Sequence, residues 1–305
     1  MGKIAFVFPG QGAQYPGMGQ ELTGISTAAA EIFRMADLAR PGTAAQCFGG
    51  SVEELQETKT TQPCMFAVEM AAAAALREAG IQADMVAGFS LGELAALSYS
   101  RVVDQSTSFG LVCRRGELMQ AAAEQADTSM AAVVKLSNEA VEEICARFPG
   151  VYPVNYNCPG QVTVAGLKAQ MPAFSAAVKE AKGRALPLKV SGGFHSPFMA
   201  GAAAEFGKLL ANIELKKPQI PLYSNVTGRP YEGDFADLLT RQICSPVRWE
   251  QTVRHMIGAG ADTFIEVGPG NVLQGLIRKI DPTVRVLGVC DRESLEETIR
   301  EVKAC

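Results

Sequence analysis

The hydrophobic positions along the chain alternate between short apolar runs and longer segments with helical spacing. Short runs rich in Val, Ile and Phe predict strands, and apolar residues three or four positions apart predict amphipathic helices. Up to about residue 126 the pattern gives strands at 3–8 and 84–88 and helices at 16–38, 61–79, 90–98 and 104–122. Strands separated by helices are typical of an α/β fold with a parallel sheet.

The rhythm changes between residues 127 and 195. Here the pattern predicts strands at 130–136, 151–156, 162–165 and 185–190 and helices at 138–147 and 168–182. This β-α-β-β-α-β order is the signature of the ferredoxin-like fold. We therefore predict that residues 127–195 form a small inserted subdomain, which is long enough to pack as a unit of its own.

The alternation of strands and helices returns after residue 196. Helices are predicted at 197–211, 234–241, 247–258 and 271–279 and over the last residues, with strands at 220–224, 262–267 and 284–289. The main domain is therefore predicted to be discontinuous, formed by residues 1–126 and 196–305.

The segment Gly88-Phe89-Ser90-Leu91-Gly92 lies between a predicted strand and a predicted helix. A Gly-x-Ser-x-Gly pattern in that setting is a nucleophile elbow, in which the serine occupies a strained turn at a helix N-terminus. The amides and the dipole at that terminus favour a developing oxyanion. We predict that Ser90 is a nucleophile. The alternative is a glycine-rich loop that caps an ordinary helix.

A serine nucleophile needs a proton acceptor, and the chain has two histidines. His255 lies in a regular amphipathic helix, where we expect it to face solvent. His195 lies in a turn of small residues, 191–197, where the insert rejoins the main domain and where clefts form. We predict that His195 is the proton acceptor for Ser90. The alternative is a residue in the first turn of a helix.

Arg115 is predicted to lie on the apolar face of the helix at 104–122. A buried guanidinium is costly without an acceptor, and its planar fork suits a carboxylate. Two interpretations remain open: an ion pair with a structural Asp or Glu, or a site for a substrate that carries a free carboxylate.

The turn after the first strand contains Gly10-Gln11-Gly12 and resembles the start of a dinucleotide-binding fingerprint. Tyr15 stands where that fingerprint needs its third glycine, so nucleotide binding is not predicted. Backbone amides of this turn, beside the elbow, are instead expected to supply one donor of an oxyanion hole, with the Leu91 amide as the other.

Composition excludes several classes of function. A net charge of −4 and a pI near 5.4 argue against nucleic acid as a partner. The eight cysteines form no Cys-x-x-Cys pair and have no nearby histidines, so no metal site is predicted. We expect a cytoplasmic protein without a membrane span, because no signal-peptide pattern opens the sequence and the longest apolar stretch, 66–76, is shorter than a span of ~20 residues.

A series of segments, in this order, resembles the malonyl-CoA:acyl carrier protein transacylases and the related acyltransferase domains of polyketide synthases. The segments are 9–12, 88–93, 115–120, 157–161, 194–196, 224–228 and 266–270, and they extend over nearly the whole chain. The resemblance implies an α/β-hydrolase-like large subdomain with a ferredoxin-like insert. It also implies a ping-pong mechanism through a malonyl-serine ester.

Carried over by position, the resemblance assigns roles to individual residues. Ser90 is the nucleophile, His195 the general base and acid, and Arg115 the clamp for the malonyl carboxylate. Gln11 and Leu91 provide the oxyanion-hole amides, and the main-chain carbonyl of Gln242 orients the histidine. Phe194, Asn157 and Gln161 are expected to line the substrate pocket. The family usually has histidine before the nucleophile, where this chain has Phe89, which bears on the choice of extender unit.

The partners implied are malonyl-CoA and a holo acyl carrier protein, and no cofactor is required beyond the coenzyme A of the substrate. Because carrier proteins are acidic, Arg184 and Lys189 in the strand before His195 are candidate docking residues; solvated cations on a strand edge are the alternative. We expect a monomer. Open alternatives are an acyltransferase with another extender unit, a serine thioester hydrolase and an inactive docking partner. The sequence leaves the pathway, fatty acid or polyketide, undecided.

Overall fold

The computed structural model describes residues 2–190 and 192–304. One sheet has five strands, and every neighbouring pair in it is parallel. Its strands are β1 (Lys3–Phe8), β2 (Met85–Gly88), β7 (Leu222–Tyr223), β8 (Ala261–Val267) and β9 (Arg285–Val289), in the order β7-β2-β1-β8-β9. The predicted α/β fold with a parallel sheet is confirmed.

The second sheet is antiparallel throughout. It contains β3 (Thr128–Val134), β4 (Val151–Cys158), β5 (Gln161–Leu167) and β6 (Arg184–Pro187), in the order β4-β5-β3-β6. Helices α8 (Asn138–Cys145) and α9 (Met171–Glu180) connect these strands, so that the elements follow one another as β-α-β-β-α-β.

Most helices pack around the parallel sheet. Before β3 they are α1 (Gln20–Ile25), α2 (Thr27–Ala39), α3 (Thr43–Gly49), α4 (Val52–Gln56), α5 (Thr58–Glu78), α6 (Gly92–Tyr99) and α7 (Gln105–Gln125). After β6 they are α10 (Ala200–Leu210), α11 (Phe235–Gln242), α12 (Trp249–Gly258), α13 (Val272–Ile280) and α14 (Arg292–Lys303).

Several element boundaries differ from the sequence prediction. The helix predicted at 16–38 is two helices, because the Ser26 hydroxyl accepts from the Ala29 amide and starts a new helix there. Helices α3 and α4 form where the apolar pattern gave no element. Strand β7 has two residues rather than the five predicted, since Pro221 precedes it and lacks an N–H for the ladder.

Helix α5 forms the centre of the large core. It is buried along almost its whole length, and its Phe66 packs on Phe109 of α7 with ring centroids 6.0 Å apart. The apolar stretch at 66–76 is therefore the buried helix that the sequence predicted. None of the helices in the described residues combines the length and the apolar character needed to cross a bilayer.

Two features of the fold place the site. Phe8 pairs with Gly88 in the parallel sheet, so the turn after β1 and the elbow after β2 lie side by side. The antiparallel sheet is joined to the segment before α12 by main-chain hydrogen bonds, from the Tyr156 amide to the Val247 carbonyl and from the Val247 amide to the Val154 carbonyl, both 2.9 Å. A cleft forms between the two sheets.

Candidate active site

Ser90 occupies a strained turn between β2 and α6. Its φ is 54°, in the left-handed region that side chains rarely adopt. The flanking glycines are required by close packing: a Cβ on Gly88 would lie 1.9 Å from Gly92, and one on Gly92 would lie 2.2 Å from the Phe8 carbonyl oxygen. The turn therefore has the geometry of a nucleophile elbow.

His195 reaches Ser90 from the junction after the antiparallel sheet. Its Nε2 lies 2.7 Å from Ser90 Oγ, and its Nδ1 lies 2.9 Å from the main-chain oxygen of Gln242. Because a carbonyl only accepts, Nδ1 carries the proton and Nε2 is left to accept the serine hydroxyl proton. The structure thus brings together Ser90, His195 and Gln242 in the arrangement that the resemblance implied.

The histidine is neutral at physiological pH. Burial, followed by the positive charge of Arg115, lowers the pKa of His195 to about 4. The side chain is 4% exposed. A neutral imidazole with its Nε2 lone pair directed at a hydroxyl is ready to act as a general base.

Arg115 lies at the bottom of the site and is fully buried. Its Nη1 donates to Gln62 Oε1 at 2.8 Å, and its Nη2 donates to Gln242 Oε1 at 2.9 Å and to Ser90 Oγ at 3.3 Å. All of these acceptors are neutral. The guanidinium is therefore held directly against the nucleophile by amide oxygens.

The structural ion pair that the sequence left open for Arg115 is not formed. Arg115 takes part in none of the ion pairs of the described residues. Its neighbour in the chain, Arg114, pairs with Glu117. Burial lowers the pKa of Arg115 to about 10, which leaves it charged at neutral pH. A buried guanidinium whose hydrogen bonds go only to neutral oxygens can still accept an anionic group.

Asn225 braces the elbow from behind. Its Oδ1 accepts from the Ser90 amide at 2.7 Å, and its Nδ2 donates to the Gly88 carbonyl at 2.6 Å. The Gln242 side chain adds a bond from Nε2 to the Ser90 carbonyl at 2.6 Å. The side-chain roles of Asn225, Gln62 and Gln242 were not predicted. For Gln62 the signal was available, because an amide in the largely apolar helix at 61–79 needs a buried partner.

Gln11 and Leu91 both line the cleft that contains Ser90. The hydrogen bonds of the described residues include no acceptor for the backbone N–H of either residue, whereas the Ser90 amide is taken by Asn225. A Cβ on Gly10 would lie 2.7 Å from the Phe89 carbonyl oxygen, so the two turns are in close contact. The arrangement leaves two neighbouring donors for an oxyanion.

The cleft around Ser90 has a volume of about 420 Å³ and is lined by both sheets. Phe194, Asn157 and Gln161 all line it, as the sequence predicted. Asn157 Nδ2 donates to Thr163 Oγ1 at 3.1 Å. Met119 and Met130 add flexible apolar surface, which leaves the floor polar and the walls largely apolar.

Two predictions about where residues lie need correction, and a third concerns a residue outside those that the structure describes. Strand β6 ends at Pro187, so Lys189 follows the strand at the mouth of the cleft, while exposed Arg184 is not among the lining residues. His255 does not simply face solvent, because it is partly buried and its Nδ1 lies 2.6 Å from the Gly228 oxygen. Ser191, the first residue of the predicted histidine turn, lies outside the described residues.

Phe89 lines the cleft and packs on the neighbouring helix. Its ring meets Trp249 edge to face, with centroids 5.5 Å apart. The contact at this position is therefore apolar. The elbow and the hydrogen bonds of Ser90 are intact beside it.

Known proteins resemble this chain over nearly its whole length. Residues 5–304 match the acyl transferase domain family. A malonyl CoA-acyl carrier protein transacylase of Bacillus subtilis is 36% identical over 99% of this chain and 98% of its own length. The crystal structure of a malonyl CoA-acyl carrier protein transacylase from Clostridium perfringens superposes with a TM-score of 0.96 at 35% identity, covering 99% of this chain and 98% of that one.

A further solved structure contains a partner. It is a type II PKS acyl-carrier protein in complex with its malonyl-transacylase, and the transacylase matches with a TM-score of 0.94 and 35% identity over 98% of this chain and 99% of that one. Family match, sequence identity and superposition agree from end to end. The chain therefore belongs to the acyl transferase family, as a relative of the malonyl CoA-acyl carrier protein transacylases.

Proposed function

We propose that this protein transfers a malonyl group from malonyl-CoA to the phosphopantetheine thiol of an acyl carrier protein, through a malonyl ester of Ser90. One observation carries the proposal: the Ser90 hydroxyl is hydrogen-bonded both to the proposed base, His195, and to Arg115, a buried cation that forms no ion pair among the described residues. A nucleophile beside a carboxylate-binding cation suits an acyl group with a free carboxylate. The named relatives support the same substrate and acceptor.

In the first half-reaction the Ser90 oxygen attacks the thioester carbonyl while His195 Nε2 takes the hydroxyl proton. The carbonyl oxygen becomes an oxyanion, which the Gln11 and Leu91 amides stabilise. The intermediate then collapses, the carbon–sulfur bond breaks, and His195 returns its proton to the departing coenzyme A thiolate. A malonyl ester remains on Ser90.

The second half-reaction repeats these steps with a different nucleophile. The carrier thiol gives its proton to His195 and attacks the ester carbonyl, and the proton then goes to the Ser90 oxygen as the carbon–oxygen bond breaks. This chemistry needs no group beyond malonyl-CoA, the carrier thiol and the residues named. If water took the place of the thiol, the enzyme would be a thioester hydrolase, which is the second candidate that the same residues permit.

Selection for malonyl over acetyl groups rests on Arg115 in this proposal. A malonyl carboxylate supplies the directly hydrogen-bonded anion that Arg115 lacks among the described residues, and an acetyl group leaves the guanidinium bonded to neutral amides. Phe194 closes one wall of the pocket at 7% exposure. Asn157 and Gln161, on the opposite wall, are proposed contacts for the polar parts of the acyl donor.

The finer assignments of the sequence remain part of this proposal. We assign residues 1–126 and 196–305 to an α/β-hydrolase-like subdomain and residues 127–195 to a ferredoxin-like one; the two sheets and their strand orders support the division. Lys189 at the cleft mouth, and Arg184 further along the same edge, are proposed docking residues for an acidic carrier protein. Cytoplasmic location and a monomeric state stay predictions.

The proposal is tested by intact-protein mass spectrometry. Wild-type protein and Ser90→Ala are mixed briefly with malonyl-CoA or acetyl-CoA, and holo acyl carrier protein is then added. A malonyl adduct that depends on Ser90 and moves to the carrier supports the transferase. An adduct that is only hydrolysed favours the hydrolase, and no adduct from either donor contradicts both functions.

A further inference from the structure

Glu93 is a buried carboxyl that the proposed mechanism does not use. It lies in the first turn of α6, three residues after the nucleophile, and is fully buried. Its Oε1 accepts from the Tyr231 hydroxyl at 2.5 Å and from the Asn225 amide at 3.2 Å. Its Oε2 is buried without a hydrogen-bond partner among the described residues. An acid in this state is costly to bury, so its position calls for an explanation.

Glu93 is connected to the elbow through Asn225. The Glu93 carboxyl fixes the main chain of Asn225, and the Asn225 side chain holds the Ser90 amide and the Gly88 carbonyl. The bracing of the nucleophile therefore begins at a titratable group. Positioning of this kind depends on both the hydrogen bonds and the charge of the carboxyl.

Glu93 is also connected to Arg115. Gln242 links the two, because it accepts from Arg115 at 2.9 Å and donates to Asn225 Oδ1 at 3.4 Å. Every hydrogen-bond acceptor of the guanidinium among the described residues is neutral, and the one carboxyl whose charge raises the pKa of Arg115 is that of Glu93. Glu93 is therefore the through-space counter-charge of the buried cation.

The other elements that pack on α6 add little charge near this pair. Strand β2 has no titratable residue, and the one charged residue of β1, Lys3, lies at the exposed start of the strand. From α5 comes Glu69, whose carboxyl acts on Glu266 instead. The groups that face Glu93 are Arg115 of α7 and Tyr231 before α11. The charge of Arg115 also lowers the pKa of His195.

We propose that Glu93 is a positioning residue that balances the charge of Arg115 while no acyl carboxylate is bound, and that malonyl binding is coupled to proton uptake by Glu93. This inference rests on the proposed function. When the malonyl carboxylate meets Arg115, two anions compete for one buried cation, and protonation of Glu93 relieves their repulsion. An acetyl group brings no second anion and causes no such uptake.

The coupling falls in an accessible pH range. Burial raises the pKa of Glu93 to about 7, against hydrogen bonds from Tyr231 and Asn225 and the charge of Arg115, which lower it. Above that pH the ionised Glu93 opposes a second carboxylate. Preference for malonyl over acetyl is therefore expected to fall as pH rises from 6 to 8.5, by about tenfold for a coupling of one pKa unit.

The experiment measures second-order rates of Ser90 acylation by malonyl-CoA and acetyl-CoA between these pH values, in wild-type protein and Glu93→Gln. Titrations of His195 and of the coenzyme A phosphates affect both donors, so they cancel in the malonyl-to-acetyl ratio. Glutamine keeps an oxygen acceptor for Tyr231 and Asn225 but cannot ionise. We expect the ratio to fall with pH in the wild type and to stay level in Glu93→Gln.

Glu69→Gln is the matched control, since it removes another buried carboxyl that does not act on Arg115, and it should keep the wild-type fall. If Glu93→Gln fails to fold, Tyr231→Phe replaces it, and loss of that hydrogen bond should move the fall to higher pH. A level wild-type ratio, a fall retained in Glu93→Gln, or an unmoved fall in Tyr231→Phe would overturn the inference. Absence of any malonyl adduct on the wild type would instead refute the proposed function.

Discussion

The two walls of the cleft hold their polar groups in different ways. On the side of the parallel sheet, Ser90 Oγ and both terminal nitrogens of Arg115 have protein partners within 3.3 Å, and only Nε of that guanidinium is buried without one among the described residues. On the side of the antiparallel sheet, Asn155 Oδ1 and Asn157 Oδ1 are buried without a hydrogen-bond partner among the described residues. The comparison indicates that the reacting groups are organised before substrate arrives, while the opposite wall keeps acceptors for what enters.

The largest expected effect comes from removing the reacting groups of the first wall. Ser90→Ala should abolish acylation, and His195→Ala should slow it by roughly 10²- to 10⁴-fold, the usual contribution of a general base. Stopped-flow acylation with malonyl-CoA measures both. An active Ser90→Ala protein would remove Ser90 from the mechanism and, with it, the distinction between the walls.

The next largest effect concerns the backbone that holds the nucleophile. Gly92→Ala places a Cβ 2.2 Å from the Phe8 carbonyl oxygen and should lower the free energy of unfolding by about 3 kcal/mol or more. Gly110→Ala in α7, where a Cβ meets nothing within 4 Å, is the matched control and should raise it by roughly 0.5 to 1 kcal/mol. Denaturant unfolding measures both, and equal effects would contradict a tightly packed elbow.

Arg115→Ala tests the cation that belongs to the same wall. Malonyl acylation should fall relative to acetyl acylation by roughly 10- to 100-fold, in line with about 1.5 to 3 kcal/mol for a charge-assisted hydrogen bond. Arg114→Ala is the control, because its exposed guanidinium pairs with Glu117 and faces away from the site. An unchanged ratio in Arg115→Ala would exclude Arg115 from acyl recognition.

The low pKa of His195 predicts the shape of the acid limb. Since the folded protein keeps the imidazole neutral down to about pH 4, kcat/KM for malonyl-CoA should stay level from pH 6 to 5 and bend only below that. The free energy of unfolding should also fall toward acid pH, because the unfolded chain takes up the histidine proton near pH 6.5. The contribution of His195 to stability is therefore complete above pH 6.5 and is lost as pH falls from there to 4. A bend of the rate near pH 6.5 would contradict the buried, neutral histidine.

The smallest effect is expected on the second wall. Asn157→Ala removes an amide that donates to Thr163 and leaves one acceptor fewer in the cleft. We expect KM for malonyl-CoA to rise by less than about tenfold while kcat stays within twofold, because the group binds rather than reacts. Steady-state kinetics measures the split, and a large fall in kcat would place Asn157 among the reacting groups.

Much of the fold and of the candidate site could be predicted from the sequence, because local residue patterns determine the elbow and the helix faces. The elbow follows from two glycines around Ser90, and the buried position of Arg115 follows from helical periodicity. The partners of Arg115 did not follow, since Gln62 and Gln242 come from helices 53 and 127 residues away and only tertiary packing brings them together. Lys189 was misplaced for a related reason, because the end of β6 depends on its pairing with β3 and not on apolar content.

The main-chain carbonyl of Gln242 gives His195, the proposed base, an orienting partner that no substitution at position 242 deletes. The side chain at that position is consequently available to other groups, and it bonds Arg115 and the Ser90 carbonyl. Burial and the charge of Arg115 lower the pKa of His195 to about 4, against the hydrogen bond to this carbonyl, so the protonated imidazole is a strong acid in this site. In the proposed mechanism such an acid passes its proton readily to a departing thiolate, and the base that starts each half-reaction is promptly regenerated.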